Sequence, residues 1–198
     1  MKKEVVIANL GYGNIPSVVN ALAKIKIECK VSNNTKTLAE ASHLIIPGVG
    51  SFEQGISCLR NEELRSTFLQ RHAAEKFTLG ICLGYQLLGM SSEEFSYGRG
   101  LGIFPRDFTR MSKPSIGWEK IDNIGLKSLP KKSYFYFNHS YGTQSSGDGS
   151  PHWVSEKGFI VFENVGRTYG TQFHPEKSQN TGLRFLNWLF TENEMRYK

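Results

Sequence analysis

The stretch Phe77-Thr78-Leu79-Gly80-Ile81-Cys82-Leu83-Gly84-Tyr85-Gln86-Leu87-Leu88 decides how the chain is read. Phe77 to Ile81 is a short apolar run that predicts a buried strand, and Gln86-Leu87-Leu88 predicts the beginning of a helix. Between them, Gly80-Ile81-Cys82-Leu83-Gly84 has the form of a nucleophile elbow with cysteine at its tip. Such a turn is sharp and strained, and it presses against neighbouring backbone. Small residues are needed two positions before and after the tip, where Gly80 and Gly84 stand. The turn also places the sulfur at a helix N-terminus, whose partial positive charge favours a thiolate. A buried structural cysteine between two glycines would look the same, so the segment alone leaves both readings open.

Upstream, strand and helix signals alternate. Glu4 to Asn9 is a β-branched apolar run that ends in the turn Leu10-Gly11-Tyr12-Gly13-Asn14. A helix follows, with Asn14 or Ile15 near its cap, Pro16 in its first turn and Val18, Val19, Leu22 and Ile25 on one face. Ile27 to Val31 predicts a second strand, Leu38 to Ala41 a short helix, and His43 to Ile46 a third strand cut by Pro47-Gly48. Phe52 to about Lys76 predicts helix. This order implies an α/β fold with a mainly parallel central sheet and helices on both faces. Gly11-Tyr12-Gly13 invites comparison with a dinucleotide fingerprint, but the third glycine of that pattern would fall at Pro16. A tight βα turn is the better reading.

Downstream, the short runs Gly102–Phe104, Ile116–Trp118, Tyr134–Phe137, Phe159–Phe162 and Tyr169–Phe173 predict strands, several of them antiparallel. Gln144 to Pro151 predicts a loop. Thr181 to Phe190 predicts a closing helix that buries Leu183, Leu186 and Phe190. No repeat and no linker divides the chain, so residues 1–198 read as one domain.

The 198 residues are 39% hydrophobic and 21% charged, which supplies a core and excludes a disordered chain. A net charge of +6 comes from scattered bases such as Lys24, Lys26, Lys30, Arg106, Arg110, Lys113, Lys131 and Lys132. Without a basic stripe, a solvated surface is favoured over an acidic partner, and no nucleic-acid ligand is expected. No apolar run is long enough to span a bilayer, and Met1 to Ala8 is too short for a signal peptide, so no membrane association is expected. The three cysteines, Cys29, Cys58 and Cys82, are odd in number and form no C-x-x-C pair. A disulfide framework or a metal site is therefore not expected, and a reducing cytoplasm fits.

A cysteine nucleophile needs a base and a group to orient it. His43 opens an apolar strand, His72 lies in a charged helix and His152 follows a loop. His174 closes the run Thr171-Gln172-Phe173 and precedes Pro175-Glu176. Proline stops the strand, which holds the flanking side chains at the carboxyl edge of the sheet, near the elbow. Glu176 can then accept an imidazole N–H and fix the tautomer. His174 alone could be a capped strand-end histidine; paired with the elbow, it suggests a Cys-His-Glu triad.

Gly80 to Gln86 together with Gln172-Phe173-His174-Pro175-Glu176 resembles the class I (triad) glutamine amidotransferases. Further pieces match in order: Gly11 to Asn14, Pro47 to Phe52, Ile116-Gly117-Trp118, Asn138-His139-Ser140-Tyr141 and His174 to Ser178. These resemble the branch of the family that serves imidazole glycerol phosphate synthases. The resemblance implies Cys82 as nucleophile, His174 as general base and acid, and Glu176 as its orienting carboxylate. It implies glutamine contacts at Gly50, Gln86, Ser140 and Tyr141, and oxyanion donors from the Gly48-Val49 peptide and the Leu83 N–H. Asn14, Tyr136 and Lys177 match positions that face the synthase.

The implied activity is hydrolysis of L-glutamine to glutamate and ammonia with no cofactor and no metal. The chain has room for the glutaminase alone, so the ammonia would pass to a (β/α)8 cyclase within a heterodimer. Two departures stand out. Asn9-Leu10 replaces a usual aspartate and tyrosine, and Pro114-Ser115-Ile116-Gly117-Trp118-Glu119 carries serine and glutamate in place of histidine and asparagine. The triad is untouched, but the partner's identity stays open. A paralogue supplying ammonia for amidination of a bacterial surface sugar, and a stand-alone γ-glutamyl cysteine hydrolase, are the alternatives.

Overall fold

The computed structural model describes residues 4–96, 98–122, 126, 128–145 and 152–192. Most of the anticipated loop at Gln144 to Pro151 lies outside them. Among the described residues there are ten strands: β1 (Val5–Ala8), β2 (Cys29–Ser32), β3 (His43–Ile46), β4 (Phe77–Ile81), β5 (Ser91–Ser92), β6 (Asp107–Asp122), β7 (Lys132–Gly142), β8 (His152–Val154), β9 (Ile160–Val165) and β10 (Thr168–Thr171). The α-helices are α1 (Ile15–Lys24), α2 (Thr35–Glu40), α3 (Phe52–Leu59), α4 (Glu62–Ala73), α5 (Leu83–Leu88) and α6 (Gln179–Asn187). Seven strands form one sheet in the order β2-β1-β3-β4-β10-β9-β8, and β5-β6-β7 form a second. From β2 to β10 all neighbours are parallel, whereas β9 runs antiparallel to both β10 and β8.

The apolar runs in β1, β3 and β4 are continuous because both faces of the sheet are covered. Side chains alternate across a strand, so Val5 and Ile7 join Val18, Leu22 and Phe185 on one face. Val6 and Ala8 join Leu38, Phe52, Leu64 and Leu87 on the other. Helices α1 and α6 thus cover one face, and α2 to α5 cover the other. Among the described residues, no helix is long and apolar enough to cross a membrane.

Four details differ from the reading of the sequence. The helical stretch 52–76 is two helices, because the Asn61 side chain accepts a 3.0 Å hydrogen bond from Leu64 N and starts α4 afresh. Helix α5 begins at the elbow, and Gln86-Leu87-Leu88 close it rather than open it. The chain folds back onto that end: Leu101 N donates to Leu87 O at 2.8 Å, and Ile103 and Phe104 both donate to Leu88 O at 2.9 and 3.0 Å. The same bonds explain why Gly102–Phe104 is no strand, since its amides terminate a helix instead. Last, the run Tyr169–Phe173 leaves the strand at Thr171, before the proline: Gln172 N still donates to Val161 O, but His174 N donates to Tyr136 O in β7. This crossing from one sheet to the other carries His174 to the site.

Candidate active site

Strands β3, β4 and β10 lie side by side and end at one edge, with Ile46 and Gly170 both opposite Gly80 and Thr171 opposite Ile81. The segments that follow are Pro47–Gly50, the Cys82 turn and Gln172–His174. Carboxyl ends of parallel strands are where open α/β sheets place their ligands. Cys82 has φ +52° and ψ −105°, a conformation that costs energy for any residue bearing a Cβ. The surroundings enforce it. Cys82 N donates to Thr171 O at 2.7 Å, so the ladder holds the turn from one side. On the other side, a Cβ on Gly84 would lie 2.0 Å from Ile46 O, and one on Gly48 would lie 2.3 Å from Gly84 N. The glycines around the elbow are thus required by contact between backbones.

The sulfur emerges at the rim. Gln172 Nε2 approaches it at 3.6 Å and the Asn138 carbonyl lies 4.0 Å away. His174 is 1% exposed, and its Nδ1 lies 2.8 Å from Glu176 Oε1. Its Nε2 is buried without a formed hydrogen bond, and Cys82 is the ring's strongest electrostatic neighbour. Burial alone would lower the pKa of His174; the sulfur and the Glu176 carboxylate outweigh it and push the pKa up to about 10. The backbone around His174 is clamped by Ser178, whose Oγ donates to His174 O at 2.6 Å and accepts from Tyr136 N at 2.9 Å. Sulfur, imidazole and carboxylate stand in series. Burial pushes the thiols of Cys29 and Cys58 up, which disfavours a thiolate at either.

A cavity of about 190 Å³ opens beside the sulfur, lined on one wall by Val49, Gly50, Cys82, Leu83 and Gln86 and on the other by residues of β6 and β7. Drug-sized ligands occupy roughly 300–1,000 Å³, so this space suits something as small as a free amino acid. Ser140 and Tyr141, expected at the substrate, also line it. Gln86 is buried, and its Nε2 donates to Tyr141 O and Gln172 Oε1, both at 3.2 Å. Leu83 opens α5, where no carbonyl four residues back receives its N–H.

Asn14, Tyr136 and Lys177 lie away from the cavity. The Asn14 side chain accepts from Ser17 N at 3.4 Å and caps α1. Lys177 Nζ sits 5.7 Å from the centre of the Tyr136 ring, and Trp118 meets that ring edge-on at 6.0 Å. Beside them Ile116, Trp118 and Tyr134 are exposed. The two departures in the 114–119 segment touch: Ser115 Oγ donates to Glu119 Oε1 at 2.7 Å, and Lys157 pairs with the same carboxylate.

Three residues at the site were given no role by the sequence, although Gln172 and His139 lie in its matched segments. Gln172 contacts the sulfur, His139 lines the cavity, and Glu94 brings a carboxylate to its rim. Burial lowers the pKa of His139 to about 4, although the Tyr141 carbonyl 2.8 Å from its Nδ1 pulls the other way. Glu94 reaches the site from the turn after β5, forty-two residues from the α3 amide that it contacts. Among the described residues, no group of three or more His, Cys, Asp or Glu side chains is placed to hold a metal ion.

Comparison with known proteins agrees with this architecture. The chain is 36% identical over 195 residues to the imidazole glycerol phosphate synthase subunit HisH of Symbiobacterium thermophilum, covering 93% of this chain and 92% of that protein. It is 35% identical over 196 residues to the HisH subunit of Methanosarcina mazei, covering 93% and 96%. A crystal structure described as a glutamine amidotransferase superimposes with a TM-score of 0.77 at 20% identity, over 93% of this chain and 96% of that one, and so shares the fold. The family glutamine amidotransferase class-I matches residues 6–192, and the chain belongs to it.

Proposed function

We propose that this chain is the glutaminase subunit of an imidazole glycerol phosphate synthase, and that residues 1–198 act as a single glutaminase domain. The observation that carries the reading is the convergence of Cys82, His174 and Glu176 at the carboxyl ends of β4 and β10, beside a cavity of amino-acid size. L-Glutamine enters with its side-chain amide at the sulfur. Cys82 attacks the carbonyl carbon, and the oxyanion develops against the N–H groups of Val49 and Leu83. His174, an imidazolium well above neutral pH, gives its proton to the departing nitrogen. Ammonia leaves and a γ-glutamyl thioester remains. The neutral imidazole then takes a proton from water, which hydrolyses the thioester to glutamate and frees the sulfur. Glu176 holds the ring and stabilises its cation throughout. Gly50, Gln86, Ser140 and Tyr141 position the substrate, and the Glu94 carboxylate meets its α-ammonium. No cofactor takes part.

Ammonia released to water at pH 7 becomes ammonium and is no longer a nucleophile, so the product needs a sheltered route. The exposed Ile116, Trp118 and Tyr134, with Tyr136, Lys177 and Asn14 nearby, form the face that receives a (β/α)8 cyclase in the cytoplasm. That partner would use the ammonia to form imidazole glycerol phosphate and aminoimidazole carboxamide ribonucleotide in histidine biosynthesis. Glycine at positions 48 and 50 lets the peptides between them reorient, so glutaminase activity should be low in the isolated chain and rise on docking. A glutamine-analogue electrophile should label Cys82, and Cys82→Ala should lower turnover by about 10⁴-fold or more with the fold retained. Substantial residual ammonia release in that variant would refute the mechanism. Faster cleavage of γ-glutamyl peptides than of glutamine would point to the stand-alone hydrolase. Sugar-modification genes beside this one, rather than histidine genes, would favour the surface-sugar reading to which Ser115 and Glu119 lend weight.

A further inference from the structure

Glu94 lines the substrate cavity, yet its Oε2 accepts a 2.7 Å hydrogen bond from Phe52 N. Phe52 is the first residue of α3 and follows Ser51 and the Gly48–Gly50 segment, of which Val49 and Gly50 line the cavity with Cys82. The start of α3 is fixed locally by a reciprocal cap: Gln54 N donates to Ser51 Oγ at 3.3 Å, and Ser51 N donates to Gln54 Oε1 at 3.0 Å. Gly50, at φ +139°, is wedged against that cap, since a Cβ there would lie 2.5 Å from Gln54 Oε1. The cap secures the helix to itself. Glu94 secures it to the far side of the cavity, forty-two residues along the chain.

We infer that Glu94 is a positioning residue for the oxyanion-binding segment, anchoring its carboxyl-terminal end through Phe52 N–H while the other carboxylate oxygen receives the substrate's α-ammonium. The inference rests on the glutaminase reading above and deepens it. One carboxylate then joins the charged end of the substrate to the peptide that must stabilise charge at its reacting end. An ionised carboxylate suits both tasks, because an acceptor bearing charge makes stronger bonds to N–H donors and complements the positive end of α3. Removing the charge and removing the anchor are therefore separable. In Glu94→Gln the side-chain carbonyl still accepts from Phe52 N, whereas in Glu94→Ala nothing does.

The test compares glutamine with glutaramate, the same amide without the α-ammonium, by steady-state ammonia release from the chain in complex with its synthase. Glu94→Gln should raise KM for glutamine by about tenfold or more with kcat held within about threefold, and its effect on glutaramate should be several-fold smaller. Glu94→Ala should add a fall in kcat of about tenfold or more on both substrates, because the oxyanion donors lose their fixed position. Equal kcat in the two variants would overturn the positioning role, and equal losses on the two substrates in Glu94→Gln would overturn the ammonium contact. Thermal unfolding of both variants separates these outcomes from loss of fold. A wild-type complex that hydrolyses neither amide would overturn the glutaminase reading itself, a result distinct from normal wild-type turnover with indistinguishable variants.

Discussion

His174 and His139 line the same cavity, both are buried, and their surroundings drive them to opposite charge states. His174 stands between a sulfur and a carboxylate and is raised to about 10; His139 is lowered by burial to about 4, which the Tyr141 carbonyl and the weaker pull of Glu119 do not offset. Burial acts on both in the same direction, against the cation. What differs is whether an opposite charge lies close enough to repay desolvation. One wall of the cavity therefore carries the proton that the reaction needs, and the other stays neutral across the working range. Two imidazoles with displaced and separated pKa values are a common way for one site to divide chemistry from binding.

The largest way to break this contrast is to remove the charge on the His174 side. Glu176→Gln keeps the shape and leaves the ring without its anionic partner, so glutaminase turnover should fall by roughly 10²–10⁴-fold. Turnover within about threefold of wild type would mean that the carboxylate does no more than pack. A second route disturbs the elbow wall without touching any charge. Gly84→Ala forces a Cβ into Ile46 O, which should cost about 1–3 kcal/mol in chemical denaturation and displace the sulfur. Unaltered stability would show that the strands can part there at little cost.

The smallest effect belongs to the neutral wall. Histidine NMR titration should find His174 cationic up to pH about 10 and His139 uncharged down to about pH 4. For His139 the linkage has a definite sign. Between its unfolded value near 6.5 and its folded value near 4, the unfolded chain binds the extra proton. Stability thus falls on acidification across that window, by at most about 1.4 kcal/mol per pH unit. In His139→Gln that part of the acid slope should vanish. An unchanged acid slope would show that the His139 environment is more open to water than its burial suggests.

The two walls also differed in how far the sequence revealed them. Around Cys82 the information is local: an apolar strand, two glycines and a helix, whose spacing reflects contacts made within a few residues. The same holds for α1, with Asn14 at its cap and Pro16 in its first turn. His174 and Glu176 were legible because a proline and an apolar run marked a strand end. Glu94 gave no such mark, and His139 and Gln172 stood in matched segments that did not reveal what they touch. Glu94 meets Phe52, and Gln172 meets Cys82, across long stretches of chain, and nothing beside either residue signals the partner. Gly102–Phe104 misled for the same reason, since three apolar residues cannot announce that their amides will close α5.

Where the Pro47–Gly50 segment meets the first turn of α5, Gly48 and Gly84 meet backbone to backbone, so no side chain can be added at either without driving the two segments apart. A library intended to admit a bulkier amide has its freedom across from the thiol, at Ile116, Ser140 and Tyr141. There β6 and β7 present side chains that can be shortened while the strained turn keeps its shape.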